Sequence, residues 1–344
     1  MHSGSLRRHR FLREDALASH LAPHANPVAH DIRHAAPMTL STTASLIRQW
    51  SAPHPTDLKL TLGALAQGRG DPTVQILPSG FWRATRTPEG PGTQRIRAVG
   101  SGRFEVTAWG PGAQWLIDRA PVLTGANDDH DGFPSHHEEV YRLHRSFQRM
   151  RTPCSQSVFE ALFPTILGQK VTGGEALSSY ARLVRYFGEL APSVGLGPRL
   201  LLPPDPKTVE GTPAHVFHRA NVERKRSSAI KVAASYAHRL EAAASTSDEA
   251  VRFALSQVPG VGPWSIAEVM TVAAGDSDSV SVGDFHLKNW VSWNLVGEPR
   301  GTDEQMLQLL EPFRPFRGRV TRLLQLGGSA PPKYGPRLTV QRRW

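Results

Sequence analysis

The residues of this chain that could do chemistry gather between positions 255 and 288. The stretch "LSQVPGVGPW" carries two glycines around one apolar residue, a proline, and then Trp264. Glu268 follows Trp264 by one helical turn, and Asp284 stands 20 residues beyond it in "SVSVGDFHLKN". Gly260 and Gly262 permit the positive φ that a tight reversal between two helices needs. Pro263 suits the first position of the second helix, where a missing N–H costs nothing. Such a turn directs backbone N–H groups outward at a helix N-terminus, so Gly260, Val261 and Gly262 are candidates to hold one phosphate. An ordinary helical hairpin would use the same glycines. Asp284 also has two readings. Ahead of "FHLKNW" it is a good N-cap; held beside a reacting bond, its carboxylate stabilises a developing cation and orients water. The two roles are compatible.

Trp264 is either core packing or one wall of an aromatic binding site, and Glu268 could share its helix face. An acid there either attracts a cationic ligand or is simply solvated. Phe285, beside the acid, is a further candidate for such a wall. Basic residues cluster at Arg224, Lys225 and Arg226, and again at Arg314, Arg317, Arg319 and Arg322. They form either solvated faces or contacts to phosphates. Metal chemistry has little support. The single cysteine, Cys154, excludes a disulfide framework and a four-cysteine cluster, and His136-His137 lacks the spacing of a defined site.

The elements that must position these residues fall into two kinds. "DLKLTL", with Leu58, Leu60 and Leu62 on one face, then "TVQIL", "FWRATRT", "TQRIRAV" and "RFEVTAW", separated by Gly/Pro turns, predict a small antiparallel sheet. "GPGAQWLIDRAPVL", started by Pro111, predicts a helix covering one sheet face. The turn-rich, acidic stretch 124–139 suggests a boundary. Beyond 140 the periodicity is helical: Phe159, Leu162, Phe163, Ile166 and Leu167; then Leu177, Tyr180, Ala181, Val184 and Phe187; then Ile230, Ala233, Ala234, Ala237 and Leu240. A serine start signal opens "SDEAVRFALSQ", which runs into the glycine turn. Three more helices are predicted near 285–296, 303–311 and 318–326.

A chain of 344 residues can fill two ordinary cores. The net charge of +10 favours a polyanionic partner, nucleic acid first, although arginine carries most of it and lysine is scarce. No run approaches the about 18 apolar residues of a membrane span. The first forty residues lack a continuous apolar segment, so no secretory signal is read there. A reducing, cytoplasmic setting is expected.

"LSQVPGVG" resembles the helix-hairpin-helix DNA-binding motif. Followed at this distance by an aspartate that opens a helix, and preceded by "FEALFPTILGQKVTGGEA" with its ILGQ-type block, it resembles the helix-hairpin-helix DNA glycosylase superfamily. "GFWRATRTPEGP" and "AWGPGAQWLIDRAP" look most like the 3-methyladenine DNA glycosylase II branch, and the likeness spans roughly residues 57–326. The resemblance implies an α+β chain: an N-terminal antiparallel-sheet, TBP-like subdomain over 41–130 and an all-helical glycosylase domain over 131–328. A disordered basic, His-rich extension over 1–40 and a basic, Pro-rich tail over 329–344 would flank them.

The resemblance further implies that Asp284 is the catalytic carboxylate and that Trp264 helps wall the base pocket. Strand-nicking relatives carry a nucleophilic lysine where Trp264 stands, so a monofunctional enzyme using water is implied, acting on alkylated purines in double-stranded DNA as a monomer. Gln169 or Lys170 falls where the superfamily fills the gap left by a flipped base. No cofactor is implied beyond a structural monovalent cation at the hairpin carbonyls. Two departures concern base preference. Family members tend to place an aromatic at the position of Glu268, and often a tryptophan in the last helix, where "TRLLQLGG" offers leucines and Gln325. A glycosylase for oxidised or deaminated purines and a non-catalytic damage-binding protein are the alternatives.

Overall fold

The computed structural model describes residues 45–192 and 197–332. The expected extension over 1–40 and residues 333–344 of the expected tail lie outside the described residues.

Five strands form one antiparallel sheet in the order β1-β5-β4-β3-β2. They are β1 (Leu46–Ser51), β2 (Val74–Leu77), β3 (Gly80–Thr87), β4 (Gly90–Gly100) and β5 (Arg103–Trp109). Alternation along β3 sends neighbouring residues to opposite faces. Phe81 joins Ile96 and Val106 in a core closed by Leu116, Ile117 and Ala120 of a covering helix. Trp82 and Ala84 serve the other face, where Trp82 stacks on Trp109 at 5.5 Å and Leu200 and Leu202 close over them.

The edge of the sheet corrects one expectation. "DLKLTL" is not a strand but a single helical turn, α1 (Leu58–Leu62), and β1 supplies the fifth strand instead. Asp57 caps the turn by accepting from the Leu60 N–H at 3.0 Å. The alternating leucines serve two cores at once, Leu58 and Leu62 facing the sheet and Leu60 the helices. The covering helix α2 (Ala113–Leu123) forms as expected, starting two residues past Pro111.

The helices are α3 (Glu138–Ser146), α4 (Val158–Leu167), α5 (Gly173–Phe187), α6 (Pro206–Gly211), α7 (Ala214–Arg219), α8 (Arg224–Ala244), α9 (Asp248–Ser256), α10 (Pro263–Val269), α11 (Leu287–Val296), α12 (Asp303–Leu310) and α13 (Arg317–Gly327). Two apolar clusters hold them. One packs Phe163, Leu183, Phe217, Ile230, Leu255 and Met270 from α4 to the end of α10. The other packs Val140 and Leu143 of α3 against Val291, Leu310 and Leu323 of α11–α13. Each fully buried side chain of this size contributes about 1.5–3 kcal/mol. None of the described helices is long and apolar enough to cross a membrane.

Three arginines expected on solvated or DNA-facing surfaces are structural instead. Arg319 is 2% exposed; it pairs with Asp128 and donates to the Met150 carbonyl at 3.1 Å. Arg322 donates to the Leu60 and Arg151 carbonyls. Arg226 is buried and donates to the Leu167 carbonyl at 2.8 Å, closing the C-terminus of α4. Arg314 and Arg317 remain nearer the surface and pair with Asp278 and Glu311. The reason is common to Arg226, Arg319 and half-buried Arg322: carbonyls orphaned at helix and loop ends need donors, and a guanidinium supplies several in one plane.

Candidate active site

Everything at the site hangs on α4 and the hairpin. The N-terminus of α4 is held from outside the helix by Glu241 of α8, whose carboxylate accepts from the Val158 and Phe159 N–H groups at 3.1 and 2.8 Å. Burial pushes the Glu241 carboxyl up to about 7, against the pull of those two N–H groups. Glu160, in the first turn, binds buried Arg83 of β3 at 2.8 Å and so fastens the sheet to the helix. The far end of α4 then delivers Gln169 against the glycine turn.

Between α9 and α10 the chain reverses through Val258–Gly262. Gly260 takes φ +88°, which requires glycine, whereas Gly262 is extended at φ −104°. The expectation of positive φ thus holds at the first glycine alone. At Gly262 the chain is already entering α10: Pro263 takes the first helical position and Ile266 N–H donates to the Gly262 carbonyl at 3.0 Å. The N–H groups of Trp264 and Ser265 precede the first intrahelical donor, as at any helix start. Gly260 approaches α8 so closely that a Cβ there would sit 3.3 Å from the Ala229 Cβ. Ala229 is one helical turn beyond Lys225, so exposed Lys225, with exposed Arg224 beside it, lies on the hairpin side of α8.

Gln169 does not project outward. Its amide donates to the Gly260 carbonyl and to the Ser265 hydroxyl, both at 3.0 Å, which ties the end of α4 to the hairpin. Lys170 is exposed, on left-handed backbone at φ +56°. Among the described residues, no group of three or more His, Cys, Asp or Glu side chains could hold a metal ion. The hairpin carbonyls of Val258 and Gly260 already accept from Val261 N–H and Gln169. Each keeps a second lone pair.

Trp264 and Asp284, 20 residues apart in sequence, meet. The indole N–H donates to Asp284 Oδ2 at 3.3 Å. The other oxygen, Oδ1, accepts from the His286 and Leu287 N–H groups at 2.8 Å each, so Asp284 does cap the entry to α11. Both side chains are half-buried. Asp284 lies on the segment that crosses from one helical cluster to the other: Ala273 belongs to the first, Val280 and Leu287 to the second. The Trp264 ring also reaches toward α4, 3.5 Å from where a Gly168 side chain would begin.

Glu268, half-buried one turn beyond Trp264, is hydrogen-bonded to the Ser281 hydroxyl. Burial, above all, holds its carboxyl above the usual carboxylate range; the bond to Ser281 opposes this and the charge of Asp284 adds to it. Phe285 is 72% exposed, its ring edge-on to His286 at 4.9 Å. Lys288 is paired with Asp303 at 3.6 Å. Ser265 and Ser281 carry no signal in the sequence, because a serine looks the same whether it faces water or braces a site.

The sequence matches no family model and no curated protein. Its fold does match solved structures. One is the 3-methyladenine DNA glycosylase from Archaeoglobus fulgidus, with a TM-score of 0.68 at 16% identity over 80% of this chain and 96% of that one. Another is the 8-oxoguanine glycosylase/lyase of Clostridium acetobutylicum. Its apo form matches with a TM-score of 0.61 at 14% identity, over 82% of this chain and 95% of that one. Its complex with double-stranded DNA containing cytosine opposite 8-oxoguanine gives a TM-score of 0.60 at 14% identity, over 81% and 96%. The chain therefore has the α+β fold of helix-hairpin-helix DNA glycosylases, a fold shared by enzymes for two kinds of damaged base.

Proposed function

We propose that this chain is a monofunctional DNA glycosylase that flips alkylated purines, of the 3-methyladenine type, out of double-stranded DNA and excises them with water. The contact between Trp264 and Asp284 carries the reading: an aromatic face and a carboxylate held together just past the hairpin. Flipping is required because the glycosidic bond is out of reach inside a stacked duplex. As that bond breaks, the sugar gains oxocarbenium character, and the Asp284 carboxylate stabilises it and directs water to the vacated carbon. The backbone bonds to Oδ1 fix the carboxylate before substrate arrives, so no reorganisation is needed during the reaction. The indole stacks on the flipped purine, more strongly when alkylation has made it cationic.

In this reading the Gly260 and Gly262 N–H groups hold one phosphate, the Val261 N–H expected to join them being engaged by the Val258 carbonyl at 3.1 Å; Arg224 and Lys225 hold neighbouring phosphates, and Lys170 enters the gap in the duplex. Gln169, engaged with Gly260 and Ser265, sets the hairpin rather than entering DNA. Phe285 stands at the rim. A TBP-like sheet subdomain, an all-helical catalytic domain, a monomeric state and a cytoplasmic setting on nucleoid DNA belong to the same reading.

The experiment is base release from duplexes carrying 3-methyladenine or 7-methylguanine, with an 8-oxoguanine:cytosine duplex in parallel and borohydride added to trap a Schiff base. Release of methylated purines without a trapped adduct is expected. Release of 8-oxoguanine alone, or an efficient covalent adduct, overturns the alkylpurine or the monofunctional part respectively. DNA binding without release from any duplex leaves a damage-binding protein.

A further inference from the structure

We infer that Glu268 is a second catalytic carboxyl, a general acid that protonates the departing base when that base is neutral. The inference rests on the glycosylase reading and deepens it.

The geometry sets Glu268 apart from an ordinary helix-surface acid. It lies on the same face of α10 as Trp264, whose indole is bonded to Asp284. Its carboxyl reaches across to Ser281, three residues before Asp284, so the acid and its brace flank the Trp264–Asp284 pair. It is neither sealed in the core nor solvated, being half-buried beside the place where a flipped base would stack. Among the groups packed against it, Ser281 supplies a hydroxyl and Asp284 a negative charge, and both act on its carboxyl. The cation nearest in sequence to Asp284, Lys288, is engaged by Asp303.

Two carboxyls in one site with different surroundings divide the labour. Burial and the neighbouring Asp284 favour the protonated form of Glu268, whereas Asp284 Oδ1 sits on two backbone N–H groups. The step balances. Glu268 gives its proton to a ring nitrogen of the base as the C1′–N9 bond breaks, with the bonding electrons leaving on the base. The base departs neutral. Water adds to C1′, its proton passes to Asp284 and then to solvent, and Glu268 takes up a proton from solvent. A base already cationic through alkylation leaves neutral without that proton, so it has less need of the acid. A neutral purine such as hypoxanthine does need it.

The test compares wild type and Glu268→Gln on duplexes carrying hypoxanthine and 7-methylguanine, by single-turnover base release between pH 5 and 9. General acid catalysis contributes about 10²–10⁴-fold. Hypoxanthine release by Glu268→Gln should therefore fall at least about 100-fold, and 7-methylguanine release by less than about tenfold. Residual 7-methylguanine release also reports that the variant is folded. In wild type, hypoxanthine release should decline as pH rises through the elevated pKa of Glu268, and Glu268→Gln should lose that decline. Ser281→Ala should shift the decline along the pH axis and keep its shape.

Equal losses on both substrates, or a larger loss on 7-methylguanine, would overturn the inference. The latter would mean an ionised acid that attracts cationic bases. Wild type that releases neither base would instead defeat the alkylpurine glycosylase reading on which the inference rests.

Discussion

Asp284 uses its two oxygens for different purposes, so two substitutions separate its roles. Oδ1 accepts from His286 and Leu287, and Oδ2 from Trp264. Asparagine has one acceptor oxygen. Turned toward the two backbone donors, it retains the cap, and its amide then faces the indole N–H, donor against donor. Asn and Asp are equivalent caps, so the loss is confined to one half-buried hydrogen bond and a favourable charge at a helix N-terminus, about 1 kcal/mol together. Alanine removes the cap as well and should cost about 1–2 kcal/mol more, a further fall in Tm of roughly 2–8 °C. Catalysis should not discriminate between them. In the proposed mechanism both remove the charge opposite the developing cation, and the loss of such preorganised stabilisation costs about 10²–10³-fold. Thermal unfolding and single-turnover base release on methylated duplex DNA measure the two effects. Two results would refute the reasoning: base release by Asp284→Asn near the wild-type rate, or equal destabilisation by the two variants. The first would reduce Asp284 to a cap, and the second would put the cap elsewhere.

Three further outcomes follow from named contacts. Glu241→Gln should change how stability depends on pH. The Glu241 pKa is raised to about 7 in the folded chain, so the folded state holds a proton that the unfolded chain has lost above its ordinary value of 4.5. This contribution is full below about pH 4.5 and is lost as pH rises to about 7, at up to ~1.4 kcal/mol per pH unit. Denaturant titrations across that window should show the slope in wild type and its loss in the variant. Arg319→Met should strand buried Asp128 without its cation and cost about 3–5 kcal/mol, while Asp128→Asn in the same chain should restore part of it. Equal Tm values for the single and double variants would contradict this. The double substitution Arg224→Ala with Lys225→Ala should weaken DNA binding and lower the slope of log K against log salt by about 1 per lost phosphate contact. An unchanged slope would place these two side chains away from the DNA.

The sheet was legible where alternation is regular, and four of its five strands follow it. It misled at "DLKLTL", because spaced leucines also suit one helical turn lodged between two cores. The hairpin was legible because Gly-x-Gly-Pro acts through local backbone geometry. The conformation of Gly262 was not, since glycine permits positive φ without requiring it. The basic clusters were the least legible. Arg224 and Lys225 remain exposed while Arg226, the next residue, turns inward to the end of α4.

By itself the sequence determined what depends on neighbours along the chain: the periodicity of the helices, the turn between α9 and α10, the proline opening α10, and the 20-residue spacing that places an acid after the hairpin. It also determined that tryptophan, and no amine, occupies position 264. Tertiary structure decided who meets whom. Asp284 joins Trp264, Glu268 joins Ser281, Gln169 holds the hairpin, and Glu241 caps a helix 82 residues away. Such pairs are set by how buried donors and acceptors are satisfied once the helices pack, and no local pattern encodes that solution.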